Sequence, residues 1–143
     1  MNLKQFALNL APVTLLCLAA GVASAATIAT GSFTLPAQTY WGNTVLPAGD
    51  YHLSLMREQS GIDYVVVRGE GKEAIVMTQA GSEESSGHGH LMLDEVGGAY
   101  VVRELDMAGR GRAYHFAVPK AVRDLTLRGS LAHPAEIPLR ASL

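Results

Sequence analysis

The chain has 143 residues, with 11 basic and 13 acidic side chains that give a formal net charge of −2 at neutral pH. No cluster of Lys or Arg could neutralise a row of phosphates, so the composition lacks the electrostatic footprint of a nucleic-acid-binding protein and predicts no such partner. A chain of this length fits one domain with a single hydrophobic core.

Residues 1–25 have the three-part layout of a secretory signal peptide. Lys4 supplies a short positive start, residues 6–20 form an apolar run, and Ala23-Ser24-Ala25 is an A-x-A cleavage site. Cleavage after Ala25 predicts an exported mature protein, periplasmic or extracellular. No second long apolar segment follows, so we expect no membrane span after the signal is removed.

Two other interpretations of the N-terminus stay open. An uncleaved anchor needs about 20 predominantly apolar residues, whereas this run is shorter and is interrupted by Asn9 and Pro12. A lipoprotein would use Cys17, but Leu15 and Leu16 stand where small residues are expected. Cys17 is the one cysteine of the chain, so the mature domain must be stabilised by its core without disulfides.

Alternating hydrophobicity, which is typical of half-buried strands, recurs along the predicted mature chain. Tyr51, Leu53 and Leu55 share one face of such a strand. Turn residues follow at close spacing, among them Pro47-Ala48-Gly49-Asp50 and the tight-hairpin signal Gly97-Gly98. The predicted strands span residues 27–35, 40–46, 51–56, 62–68, 73–79, 91–96, 99–106 and 112–118.

The C-terminal part of the chain is less regular. Residues 120–128 fit either a helical turn or a strand, and residues 129–143 predict an extended, partly disordered tail. Seven to eight short strands predict an all-β fold, a single antiparallel β-sandwich or small barrel, over residues 26–128. The sequence leaves the choice between sandwich and barrel open.

Residues 33–36 (FTLP) and 41–51 (WGNTVLPAGDY) resemble the F-x-x-P … L-P-A-G-x-Y opening of a group of small exported bacterial β-proteins. The resemblance extends loosely through residues 100–119. It implies an exported, all-β, single-domain protein and brings no active site with it. Within the phrase, Leu46 and Tyr51 are predicted to be buried on either side of a tight turn.

The histidines suggest a metal site. His88 and His90 enter a predicted strand at i, i+2 spacing, which places both imidazoles on one side of a sheet. Together with Glu95 they form an H-x-H-x(4)-E pattern that is similar to the first metal motif of cupins. Residues 47–52, which end in His52, resemble the second cupin motif, P-x-G-x-x-H, although the two motifs occur in reverse order. The resemblance implies a divalent transition metal held by these three histidines and Glu95.

The alternative for this histidine pair is that both side chains are solvated at the edge of a Gly/Ser/Glu-rich loop. No other cofactor is expected.

The adjacent aromatic residues Tyr40 and Trp41 provide a second candidate contact. An exposed ring at a strand start can stack on the sugars of an envelope polymer, but alternation directs one ring of the pair into the core.

The sequence offers little support for catalysis. It has no G-x-S-x-G elbow, and its one cysteine lies in the predicted signal peptide. We therefore expect an exported, non-enzymatic β-domain that acts by binding or assembly. The partner would be an envelope polymer or, because a short all-β chain has sheet edges, a second copy of the chain. The alternative is a small cupin-like metalloprotein.

Overall fold

A computed structural model describes residues 24–79, 81–83, 85, 87–129 and 131–141. Most of the predicted signal peptide, residues 1–23, lies outside the described residues. The strands are β1 (Ala26–Leu35), β2 (Thr39–Trp41), β3 (Thr44–Leu46), β4 (Gly49–Arg57), β5 (Asp63–Gly69), β6 (Lys72–Met77), β7 (His90–Val96), β8 (Ala99–Asp106), β9 (Ala113–His115), β10 (Ala132–Pro138) and β11 (Arg140–Ala141). One helix, α1 (Lys120–Leu127), follows β9.

The strands form two sheets that pack face to face as a sandwich. The first sheet has five strands in the order β11-β1-β4-β5-β6, all antiparallel. The second has the order β10-β7-β8-β2-β3, with β9 beside β8, and its one parallel pairing joins β2 to β8. The all-β prediction is confirmed, and the architecture is a sandwich rather than a barrel.

The core lies between the two sheets, where alternate residues of each strand point inward. In β4, Tyr51, Leu53 and Leu55 are buried, as their alternation predicts. Aromatic rings occupy the centre of the core: the ring centroids of Phe33 and Trp41 are 5.7 Å apart, and those of Trp41 and Phe116 are 5.3 Å apart. Edge-to-face arrangements of this kind are the preferred aromatic geometry.

The L-P-A-G-x-Y phrase forms a turn anchored in the core, as predicted. Leu46 and Tyr51 are buried on either side of the turn. The Tyr51 hydroxyl donates a hydrogen bond of 2.9 Å to the Pro47 carbonyl oxygen, which ties the strand back to the turn. Gly49 has φ +148°, and a side chain at this position would collide with the carboxylate of Glu70. The backbone conformation therefore favours glycine here, whereas the exposed Glu70 side chain could move away from a Cβ.

The described residues contain eleven strands, rather than the seven to eight predicted. Residues 40–46 form a short hairpin of two strands, because Gly42 takes a positive φ of 57° and reverses the chain there. Residues 120–127 are helical. The predicted tail is extended, and two of its segments are strands that join one sheet each. No helix in the described ranges is both long and apolar enough to cross a membrane.

Candidate functional site

The structure separates the four predicted metal ligands. His52 lies on β4 in the first sheet, whereas His90 and Glu95 lie near opposite ends of β7 in the second sheet. Within the part of the chain that the structure describes, no group of three or more His, Cys, Asp or Glu side chains could hold a metal ion. Metal binding by a smaller set of these residues stays a prediction.

His88 and His90 differ in environment, although the sequence spacing predicts that they share one side of a strand. β7 begins only at His90, so the alternation of a strand does not extend back to His88. His88 is exposed, while His90 is 7% exposed. The Nδ1 atom of His90 lies 2.9 Å from the backbone oxygen of His88, so this ring nitrogen already has a partner within the chain.

The predicted aromatic pair is divided between the core and the outer side of the second sheet. Trp41 is 0% exposed, and its indole N–H has no hydrogen-bond partner among the described residues. Tyr40 is half-buried and packs against a small cluster with Val101 and Val122, where α1 covers the sheet. The burial of Trp41 removes it from any surface groove, so the structure does not support it as a sugar contact.

The ends of the two sheets differ in a way that points to a functional surface. β11 has two residues and β3 has three. β10 is longer but contains Pro134 and Pro138, which have no N–H to offer a further strand. β6 has six residues, is the end strand of the first sheet and contains no proline. It is therefore the longest proline-free end strand in the described chain.

The pairing of β6 with β5 determines which of its backbone groups face outward. Gly69 pairs with Lys72 across a two-residue turn, and the Thr78 N–H donates to the Asp63 carbonyl oxygen at 3.4 Å. In an antiparallel pair, hydrogen-bonded residues alternate with residues whose N–H and C=O groups point away. The residues directed away from β5 are Glu73, Ile75 and Met77. Their backbone groups form a row that no described strand pairs with.

The side chains next to this row form a partly exposed apolar surface, which we call the outer patch. Ile75 is 62% exposed and Met77 is 53% exposed. Cross-strand pairing places Val66 opposite Ile75 and Tyr64 opposite Met77, so all four share the outer face of the first sheet. The outer patch consists of the exposed Ile75 and Met77, the half-buried Met56 and Tyr64, and Val66, which is 9% exposed. Scattered exposed apolar residues are normal, but a contiguous set beside an open edge is a feature of interaction surfaces.

Charge does not protect this edge strongly. The Glu73 carboxylate accepts a hydrogen bond of 2.7 Å from Arg68 on β5, so the charge at one end of the row is compensated within the sheet. That hydrogen bond and the positive charge of Arg68 lower the pKa of Glu73. Prolines, bulges and charged side chains, Lys in particular, are the usual devices that block an edge. β6 carries Lys72 at its first position, but it has no proline and its pairing with β5 is regular.

The sequence predicts both strands, over residues 62–68 and 73–79, but does not identify the second as an end strand. A signal for this surface is nevertheless present in residues 73–77, where Glu73 is followed by four consecutive apolar residues. Ala74 and Val76 point into the core, and Ile75 and Met77 point outward. A strand that is apolar on both faces near the protein surface indicates either a covered face or an interaction site.

The fold and this edge define the molecule as a two-sheet β-sandwich with one open, apolar-flanked edge. No protein-family model, curated protein or solved structure matches the chain.

Proposed function

We propose that this chain is an exported, non-enzymatic β-domain that acts by assembly, with β6 pairing antiparallel to β6 of a second copy. The observation that carries the proposal is the unpaired row of backbone groups on β6, flanked by the exposed Ile75 and Met77. An unpaired strand edge is a template for another strand, and main-chain hydrogen bonds supply the affinity in such pairing.

The sequence of β6 suits pairing with itself. In a two-fold register centred on Ile75, Ile75 faces Ile75, Glu73 faces Met77, and Lys72 faces Thr78. Like charges do not face each other at any of these positions, and residues with outward backbone groups meet in hydrogen-bonded pairs. A two-fold axis normal to the sheet keeps the outer patches of both copies on the same face. The two patches then form one continuous apolar surface.

No strand of the second sheet obstructs this pairing in the described chain. β3 is the strand of the second sheet that lies near β6, and no strand pairing joins the two in the described chain. The side chain of Val76 is buried in the core and takes no part in the proposed pairing. A second copy would therefore extend the first sheet without displacing core contacts.

The experiment is sedimentation equilibrium of the mature chain over a wide concentration range, with Ile75→Lys as the test variant. The wild type is expected to dimerise reversibly. The variant places two positive charges opposite each other at the two-fold axis and should raise the dimer dissociation constant about tenfold or more. Because Ile75 is largely exposed, the variant should fold normally.

The matched control is Leu127→Lys, which makes the same kind of change at an apolar side chain on α1 that is 85% exposed. It should dimerise like the wild type. A wild type that stays monomeric at all concentrations, or a dimer that Ile75→Lys does not weaken, would overturn the proposal. A monomer that instead binds an added peptide of residues 72–78 would assign the edge to a foreign strand and would also overturn self-pairing.

Export is tested separately by intact mass and N-terminal sequencing of the protein recovered from the cell envelope and the medium. Cleavage between Ala25 and Ala26 is the expected result. An uncut chain, or one acylated at Cys17, would contradict the signal-peptide interpretation.

A further inference from the structure

A tyrosine whose ring is buried lines a cavity beside the end of the β5–β6 hairpin, and its hydroxyl has no partner among the described residues. Tyr114, on β9, is 3% exposed, and its hydroxyl makes no hydrogen bond to any described residue. Tyr51, buried to the same degree, donates its hydroxyl to the Pro47 carbonyl oxygen. Among the described side chains, the one fully buried nitrogen or oxygen without a partner is the indole nitrogen of Trp41, so the Tyr114 hydroxyl is open to solvent through the cavity and available to a ligand.

Tyr114 lines a cavity of about 240 Å³ that opens to solvent between the two sheets. Asp63 and Thr78 line it from the β5–β6 hairpin, and Gly81 and Arg112 line it as well. Ser82, next to Gly81, is held against β9 by two backbone hydrogen bonds of 3.0 Å with Ala113. The cavity is thus bounded by strands and by a bonded segment.

The charges around the cavity are unbalanced toward positive. Both oxygens of the Asp63 carboxylate are occupied by Arg57, with distances of 2.6 Å to Nε and 2.8 Å to the terminal nitrogen. This bidentate pair is neutral as a unit. Arg110 and Arg112 form no ion pair with any described residue. Two guanidinium charges therefore remain near the Tyr114 hydroxyl.

The electrostatic environment of Tyr114 reflects this arrangement. Burial raises the pKa of the Tyr114 hydroxyl and the Asp63 carboxylate raises it further, whereas Arg110, Arg57 and Arg112 act in the opposite direction. The hydroxyl consequently stays protonated at neutral pH and can donate a hydrogen bond. The Thr78 hydroxyl is already used, since it donates to the Asp63 carbonyl oxygen at 2.6 Å.

We propose that this cavity binds a small oxyanion, a carboxylate or phosphate group, with the Arg112 guanidinium and the Tyr114 hydroxyl as donors. A guanidinium presents a planar set of N–H groups that matches both kinds of oxyanion. The remaining positive charge of Arg110 adds long-range attraction. The cavity adjoins the end of β6, since Thr78 lines it and also belongs to the proposed pairing register. Its volume lies below the roughly 300 Å³ at which pockets for drug-sized ligands begin.

The test is a titration of the mature chain with sodium phosphate and, separately, with sodium acetate, at constant ionic strength maintained with sodium chloride. Amide chemical shifts of Asp63, Arg112 and Tyr114 report binding. We expect a saturable change at these residues with at least one of the two anions, and the two titrations distinguish phosphate from carboxylate recognition. No saturable change with either anion would overturn the proposal.

Two variants separate a built site from general attraction of anions to a cationic surface. Arg112→Gln should weaken binding about tenfold or more, because a charge-assisted donor is lost. Tyr114→Phe keeps the ring in the core and should weaken binding about threefold, without lowering the melting temperature. Arg123→Gln, the matched control on the exposed side of α1, should bind like the wild type. Equal binding by Arg112→Gln and the wild type, or by Tyr114→Phe and the wild type, would show an adventitious ion only and would overturn the proposal.

Discussion

The end strands β6 and β10 are similar in length, but β6 is suited to pairing with another strand and β10 is not. β6 has six residues without proline, and its outward groups lie beside the exposed Ile75 and Met77. β10 has seven residues, and Pro134 and Pro138 remove two of its N–H groups. The two edges of this sandwich therefore differ: prolines hinder further pairing at β10, while β6 keeps all of its backbone N–H groups.

The outer faces of the two sheets also differ in how well their apolar side chains are covered. α1 lies on the second sheet, where Val122 packs with Val96 and Val101 in a small cluster. The apolar outer patch of the first sheet has no such cover among the described residues. The side of the molecule that carries the open edge therefore also carries the exposed apolar face.

Removal of the strand that blocks the second sheet should give the largest effect. A chain that ends at Gly129 loses the seven residue pairs of β10 with β7 and the half-buried Ala135 and Ile137. We expect a loss of about 5 kcal/mol in the free energy of unfolding, estimated from the hydrogen bonds of the ladder. Urea denaturation followed by the fluorescence of Trp41 measures it.

The control for this truncation is a chain that ends at Leu139, which keeps β10 and the hydrogen bond from the Leu139 N–H to the Gly89 carbonyl oxygen and loses β11. It should lose much less stability, because β11 pairs with β1 at two positions only. Equal denaturation midpoints for the two truncated chains would show that β10 contributes little to the second sheet.

Opening the blocked edge should create a second mode of association. The double variant Pro134→Thr/Pro138→Thr restores two N–H groups on β10, and it should associate at high concentration even when Ile75→Lys is also present. Sedimentation velocity measures the change. Pro36→Thr, at an exposed turn position after β1, is the control and should not associate. A double variant that behaves like its parent would show that something other than proline protects β10.

The turn that leads into β6 should be stabilised by a residue that accepts left-handed backbone. Glu70 has φ 48° and Gly71 has φ 69°, the pattern of a type I′ turn. In the hairpin between β7 and β8, both turn positions are glycine, Gly97 and Gly98. Glu70→Asn should raise the free energy of unfolding by about 0.5–1 kcal/mol, because Asn tolerates this conformation better than Glu.

Chemical denaturation provides the measurement for this turn. Glu70→Gln is the matched control and should leave stability close to that of the wild type, because it changes the charge and keeps the backbone preference. An equal gain from Gln would attribute the effect to charge instead of turn conformation.

The smallest effect concerns the ion pair beside the open edge. Arg68 lowers the pKa of Glu73 below its ordinary value of 4.5, so the pair contributes stability at neutral pH. This contribution is lost as the pH falls from about 4.5 through the lower pKa of the folded state. Because both groups are exposed, the difference between the wild type and Glu73→Gln should be small at pH 7 and should vanish at acidic pH. A difference that grows on acidification would contradict this assignment.

The elements that the sequence predicts well are those determined by neighbouring residues. The alternation of Tyr51, Leu53 and Leu55 places β4 with the correct face inward, and Gly97-Gly98 locates the β7–β8 hairpin. The ambiguous residues 120–128 become helical in context, where Val122 is buried against the second sheet. Local pattern leaves such a segment undecided because tertiary contacts select its conformation.

The same contrast between local sequence pattern and tertiary contacts applies to the predicted site residues. Spacing alone suggests that His88 and His90 share a face, but the strand begins too late for that relation to hold. The grouping of both with His52 depends on which strands become neighbours, and a linear pattern contains no information about that. The sequence does not single out Tyr114, because whether its hydroxyl has a hydrogen-bond partner depends on the residues that surround it in the fold.

The sequence by itself determined the strand-rich character, the tight turns, the inward faces and the predicted export signal, since each depends on residues close together in the chain. Only the tertiary structure decided which strands end the sheets, where α1 lies and which charges meet around Tyr114. Those features arise from pairings between residues far apart in sequence, whose energies depend on neighbours that no local pattern specifies.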